Sequence, residues 1–200
     1  MNFLAHCLIP DRALEHTHPD LIAGGFVGDF LKGPVPDSLP RELALGIRLH
    51  RRIDAYSNRQ AAIRTSCERF PARLRRFAPI FVDVIADHLL ARQWQHFHPG
   101  PLTAFTAQAY AAIEPHVGGL PEPGQRFFEH MREHDLLAGY RDRAVMHRVI
   151  GSVIRRLNRP QLHHGLEQII DERLPELEGD FFAYFPDLLG HASEWLAEQQ

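Results

Sequence analysis

The sequence predicts an all-α fold, a single-domain helical bundle, and three observations carry that prediction. Apolar residues recur at helical spacing in almost every segment, with no alternating strand pattern of convincing length. The connections between these segments are short and bounded by proline or glycine. Composition is that of an ordinary globular chain, with 200 residues, 44% hydrophobic and 24% charged, enough for one domain with a sizeable core.

The segments follow in order. The opening run from Met1 to His6 lacks basic residues and is cut short by Pro10-Asp11-Arg12, which does not describe a secretory signal. Residues 20–31 place Ile22, Gly25, Phe26 and Asp29 on one helical stripe. Gly24, Gly25 and Gly28 each weaken that helix by about 1 kcal/mol relative to alanine. They are tolerable where a second helix or a ligand must come close. Lys32-Gly33-Pro34 ends the helix, and Pro34 to Pro40 forms a stiff loop. The next helix starts near Ser38-Leu39-Pro40, with serine as cap and proline in the first turn, and runs through His50 and Asp54 to Ser57-Asn58. Shorter helices follow over Asn58–Phe70 and Pro71–Phe77, then a longer one from Pro79 to His96 that carries Asp83, Asp87 and His88. His98-Pro99-Gly100-Pro101 breaks the chain. Helices over Leu102–Glu114, Gln125–Leu137, Tyr140–Leu157 and Gln161–Phe185 come next, with a glycine-proline loop at Gly118–Gly124 and a terminal amphipathic helix over Pro186–Gln200. Composition marks no second domain, so 1–200 reads as one unit in which 1–98 holds the chemistry and 100–200 completes the bundle as a candidate lid. No apolar run reaches the ~20 residues of a membrane span. Cys7 and Cys67 are too few for a disulfide framework and read as free thiols, and the expected location is the cytoplasm.

The net charge of −3 conceals a strong asymmetry. Between Arg41 and Arg76 stand ten arginines against three acids, while Asp171 to Asp180 carries five acids and one arginine. A basic face of this kind draws anionic substrates. Nucleic acid is disfavoured as the partner, because Lys32 is the only lysine, the chain is acidic overall and no recognition motif is present.

The chemistry-bearing residues sit on the same helices. His50 and Asp54 are four apart and share a face with Leu43, Ile47 and Ile53; Asp83 and Asp87-His88 share theirs with Ile80, Val84 and Trp94. Burying even a neutral polar group without a partner costs roughly 1–3 kcal/mol. Such groups are kept inside by pairing with one another or by holding a metal ion. His6, Asp29, His50, Asp54, Asp87 and His88 are the candidate ligands. Imidazole and carboxylate donors suit Mn²⁺ or Mg²⁺, with Fe²⁺ a further candidate. Asp29 or Asp83 is the candidate general base. Arg51 is placed to grip a phosphoryl group, or alternatively to pair with Asp54.

Four motifs in order, Asn2-Phe3-Leu4-Ala5-His6, Gly28-Asp29-Phe30 with Lys32-Gly33, Gly46-Ile47 leading to His50-Arg51-Arg52-Ile53-Asp54, and Asp83 with Asp87-His88 and Trp94, resemble the acyl carrier protein phosphodiesterase family. The resemblance is specific over about residues 1–95. Phe26 stands where asparagine is expected, and Leu89 where phenylalanine is. The resemblance implies an HD-domain-like all-α metal phosphohydrolase that releases 4′-phosphopantetheine from holo-acyl carrier protein, with Mn²⁺ or Mg²⁺ required. It also implies that Arg64, Arg69, Arg73, Arg75 and Arg76 dock the protein substrate. Two other readings fit the residues: an HD-type hydrolase of a nucleotide or cyclic nucleotide, and a helical binding module without catalysis.

Overall fold

A computed structural model describes residues 1–199 and is helical throughout, with no strand among them. The elements are α1 (Phe3–Ala13), α2 (Pro19–Val27), α3 (Arg41–Ser57), α4 (Ala61–Glu68), α5 (Ala72–Arg75), α6 (Ala78–Arg92), α7 (Trp94–Phe97), α8 (Leu102–Ile113), α9 (Glu122–Glu133), α10 (Leu136–Gly139), α11 (Arg143–Arg156) and α12 (Leu166–Ala197). Short 3-10 turns cover Glu114–Gly119 and Pro160–His163. None of these helices is long and apolar enough to cross a membrane.

Helix α1, in a stretch for which no helix was expected, continues through Pro10. Residues 4–10 are all buried, and burial of that segment outweighs the bond lost at Pro10. Proline has no N–H for the His6 carbonyl, and the backbone of α2 fills that place. A Cβ on Gly25 would lie 2.2 Å from the His6 carbonyl oxygen, so only glycine permits the approach. The crossing of α2 and α3 is equally close. A Cβ on Gly24 would stand 2.5 Å from the Gly46 Cα, and one on Gly46 would stand 2.4 Å from the Leu21 carbonyl. The costly glycines of α2 thus let two backbones meet, which fixes the stretch of α3 where His50 and Asp54 stand.

Several boundaries also move. Helix α2 ends at Val27, leaving Asp29 in the turn beyond it. Helix α3 starts at Arg41 after Pro40, with no side-chain cap from Ser38. The glycine-proline loop proves partly helical, because α9 begins at Glu122 and takes in Gly124, against which the Phe30 ring packs. The two expected C-terminal helices are one 32-residue helix, α12, containing Pro175 and Pro186. Both prolines face solvent, as do Asp171 and Phe182, whose carbonyls lose their helical donor. The opposite stripe, from Leu166 through Ile170, Leu174, Leu177, Phe181, Phe185 and Leu188 to Leu196, is buried and holds the helix continuous. It packs against α1, α3, α4 and α6. Aromatic rings fill the space on either side: Phe3, Phe26, Phe30 and Phe127 cluster near the start of α1, and Phe97, Phe181 and Phe185 near the middle of α12.

Candidate metal centre

Histidines 6 and 50 reach the same carboxylate from two helices. His6 Nε2 lies 3.1 Å from Asp54 Oδ1, and His50 Nε2 lies 3.5 Å from Asp54 Oδ2. Their rings stack with centroids 3.8 Å apart. One ligand atom from each of His6, His50 and Asp54 falls within a 4.8 Å span, a separation that suits one ion with bonds of about 2.0–2.2 Å. Both imidazoles are nearly inaccessible, at 2% and 5% exposure, while Asp54 opens to the surface.

The tautomer of His50 follows from its other nitrogen. Nδ1 is 2.9 Å from the Gly25 carbonyl, which can only accept, so Nδ1 carries a proton and Nε2 is the nitrogen that faces the centre. Gly28 makes room for this ring, since a Cβ there would lie 2.6 Å from His50 Cγ. His6 is held neutral: burial and the neighbouring His50 push its pKa down to about 3. Burial alone would raise the Asp54 pKa, but the hydrogen bond with His6 and the nearby Met1 amine hold it below the ordinary carboxylate range. The donor set, two imidazoles and a carboxylate, fits a divalent cation.

Two other expected carboxylates border this group. Asp29 Oδ1 is 3.8 Å from His50 Nε2, and burial raises its pKa. Asp83 Oδ1 is 3.0 Å from the Met1 amine, which is also 3.4 Å from Asp54 Oδ1. Burial opposes the charge on that amine, yet the two carboxylates outweigh it and raise its pKa to about 10.

Asp87 and His88, also expected as ligands, lie outside the group formed by His6, His50 and Asp54. Both Asp87 oxygens accept backbone N–H groups at the start of α1, from Leu4 at 2.8 Å and Ala5 at 3.0 Å. Asp87 therefore caps a helix that has no cap of its own. It is fully buried, and burial pushes its pKa up to about 7 despite those two bonds. His88, about 100° farther round α6, donates from Nδ1 to the Tyr140 carbonyl at 2.7 Å. Its Nε2 is buried with no partner.

A pocket of about 320 Å³ opens beside the group, lined by Asp29, Lys32, His50, Arg51 and Asp54 among others. Arg51 does not pair with Asp54. It donates one N–H to the Leu31 carbonyl at 2.9 Å, leaving the rest of its fork to the pocket. Lys32 binds the Asp29 carbonyl at 3.1 Å and is the one wall residue that residue-by-residue reading missed as a functional group. Its signals were its place in the Gly28–Gly33 motif and its being the chain's only lysine.

The expected docking arginines divide. Arg69 grips Asp180 with two bonds, at 2.6 and 2.7 Å. Arg75 bonds to the Phe70 carbonyl and Arg64 to the Arg59 carbonyl. Arg73 and Arg76 instead line a recess near the start of α6. Cys7 and Cys67 are both free, and burial raises both thiols, which makes them poor nucleophiles.

The chain matches the family model described as acyl carrier protein phosphodiesterase over residues 1–188. An acyl carrier protein phosphodiesterase of Escherichia coli O6:H1 (strain CFT073) is 31% identical over 197 residues, covering 96% of this chain and 98% of that protein. The proteins of the same name from E. coli O139:H28 (strain E24377A) and O9:H4 (strain HS) are 30% identical with the same coverage. No solved structure matches the chain. A match along nearly the whole length, together with the motifs that meet around Asp54, places this chain in the acyl carrier protein phosphodiesterase family.

Proposed function

We propose that this chain hydrolyses the phosphodiester linking 4′-phosphopantetheine to a serine of holo-acyl carrier protein, using a divalent ion held by His6, His50 and Asp54. The observation that carries the reading is the convergence of these three side chains at the wall of a pocket that also presents Lys32 and Arg51. Mn²⁺ and Mg²⁺ are the favoured ions, Fe²⁺ a further candidate, and the kinship with HD-domain hydrolases is part of the same proposal.

A phosphodiester repels an incoming nucleophile through its negative charge. A bound divalent ion supplies a Lewis acid for a phosphoryl oxygen and makes a neighbouring water more acidic. Arg51 and Lys32 neutralise charge on the non-bridging oxygens, the guanidinium by paired N–H bonds and the ammonium as a point charge. Asp29, with its raised pKa and its carboxylate close to His50, is suited to take the proton of the attacking water. The new P–O bond forms from that water, the bond to the serine oxygen breaks, and the serine oxygen takes up a proton. The products are apo-carrier and 4′-phosphopantetheine. The His50 bond to Gly25 and the Asp87 cap on α1 position His50 and His6. The reading treats residues 1–200 as one metallohydrolase domain acting on a carrier in the cytoplasm.

The test is intact-mass analysis of holo-carrier protein after incubation with the chain, with Mn²⁺ and with EDTA. Loss of one phosphopantetheine, suppressed by EDTA, is the expected result. An intact carrier beside hydrolysis of a nucleotide panel would transfer the site to the nucleotide reading.

A further inference from the structure

Away from the metal centre, Arg73, Arg76 and Arg159 converge with Phe77, Gln161 and Leu162 around a recess of about 310 Å³. No carboxylate lines it. Three arginines gathered at one cavity repel each other, and their ordinary remedy is a neighbouring acid, as Asp180 provides for Arg69. None is supplied here. The recess is nevertheless built. Asn158 adopts a left-handed backbone (φ 52°), one of the few non-glycine residues that tolerate it, and turns the chain sharply after α11. Leu162 then buries itself, and Arg73 bonds to the His164 carbonyl at 3.0 Å, tying the turn to α5. Arg159 is thereby carried from the C-terminal half to two arginines of the N-terminal half.

Its position relates it to the reaction. Phe77, in the recess wall, stands six residues before Asp83, about 9 Å along the start of α6 at 1.5 Å per residue. Asp83 borders the metal centre through the Met1 amine. A protein whose modified serine reaches Asp54 is large enough to extend to this recess as well, whereas a small phosphoester is not.

We infer that the recess formed by Arg73, Arg76 and Arg159 is the docking point for acidic side chains on the surface of the carrier-protein substrate. The inference rests on the proposed function and narrows it: of the five arginines expected to dock, only Arg73 and Arg76 do so, and Arg159 joins them.

The experiment compares steady-state kinetics of the wild type, Arg76→Glu/Arg159→Glu and Arg64→Glu on holo-carrier protein and on bis-p-nitrophenyl phosphate. The double variant is expected to raise KM for the carrier about tenfold at low salt, with kcat within twofold, and to weaken the dependence of kcat/KM on salt. Arg64→Glu, and turnover of the small ester by either variant, are expected to stay within twofold. Thermal melts of all three confirm that these exposed substitutions leave the fold intact. A wild type that cleaves the carrier alongside a double variant with unchanged KM would overturn the docking site alone. Impaired turnover of the small ester by the double variant would overturn it too, because the recess would then serve the reacting centre. A wild type that leaves the carrier intact would remove the proposed function and this inference together.

Discussion

On α3, His50 and Asp54 stand one turn apart and their functional atoms meet at 3.5 Å beside His6. On α6, Asp83, Asp87 and His88 have similar spacing on a similarly apolar helix, yet they disperse. Asp83 reaches the Met1 amine, Asp87 the amides of α1, and His88 the Tyr140 carbonyl. The difference lies in the neighbours. Helix α3 is pressed against α2 through Gly24 and Gly46, so its polar stripe looks across a narrow gap at His6 and Asp29. Helix α6 is packed on several sides, so Asp83 and Asp87 are taken up by the N-terminal amine and the first amides of α1, and His88 by the carbonyl of Tyr140. Spacing along one helix sets which side chains share a face. The helix opposite decides whether they share a ligand.

The contrast is broken or sharpened by substitution. Asp54→Asn is expected to have the largest effect, lowering turnover by more than about 100-fold together with loss of bound Mn²⁺. Metal analysis beside kcat checks this; full metal content would detach the centre from Asp54. Asp87→Ala comes second and acts on the fold. It strands the Leu4 and Ala5 amides and is expected to destabilise the chain by about 2–3 kcal/mol in denaturant titration. An unchanged unfolding midpoint would contradict the capping role.

A pH effect follows from His6. Its folded pKa, about 3, lies below the ordinary 6.5, so the unfolded chain binds more protons between those values. The stability contributed by neutral His6 is complete above pH 6.5 and is lost as pH falls toward 3, by up to about 1.4 kcal/mol per unit within that window. Melting curves of His6→Asn against wild type are expected to show a flatter decline below pH 6.5; parallel curves would exclude His6 as the source. The smallest effect is expected from His88→Asn. It should lower stability by about 1–2 kcal/mol through the lost bond to Tyr140 while leaving the Mn²⁺ content at its wild-type value. Loss of metal in that variant would collapse the distinction between the two helices.

Much of the candidate site was legible in the chain because its residues are local. His50 and Asp54 declare themselves by spacing, and Asp29 by a glycine-rich segment that had to be approached closely. Helix α1 was not legible. Its cap, Asp87, lies more than 80 positions away in sequence. The continuity of α12 was hidden for a related reason: Pro186 reads as a stop until the opposite face is seen to be buried. Arg159 carried no local signal, since only the left-handed turn at Asn158 brings it to Arg73 and Arg76.

The sequence by itself determined the helical class, the amphipathic faces and the shared face of His50 and Asp54, because each of these depends on periodicity within a dozen residues. Only the tertiary structure decided which polar groups converge. Whether an imidazole finds a carboxylate, a carbonyl or an empty recess depends on helices distant in the chain, placed by close glycine contacts and buried apolar stripes rather than by the polar residues themselves.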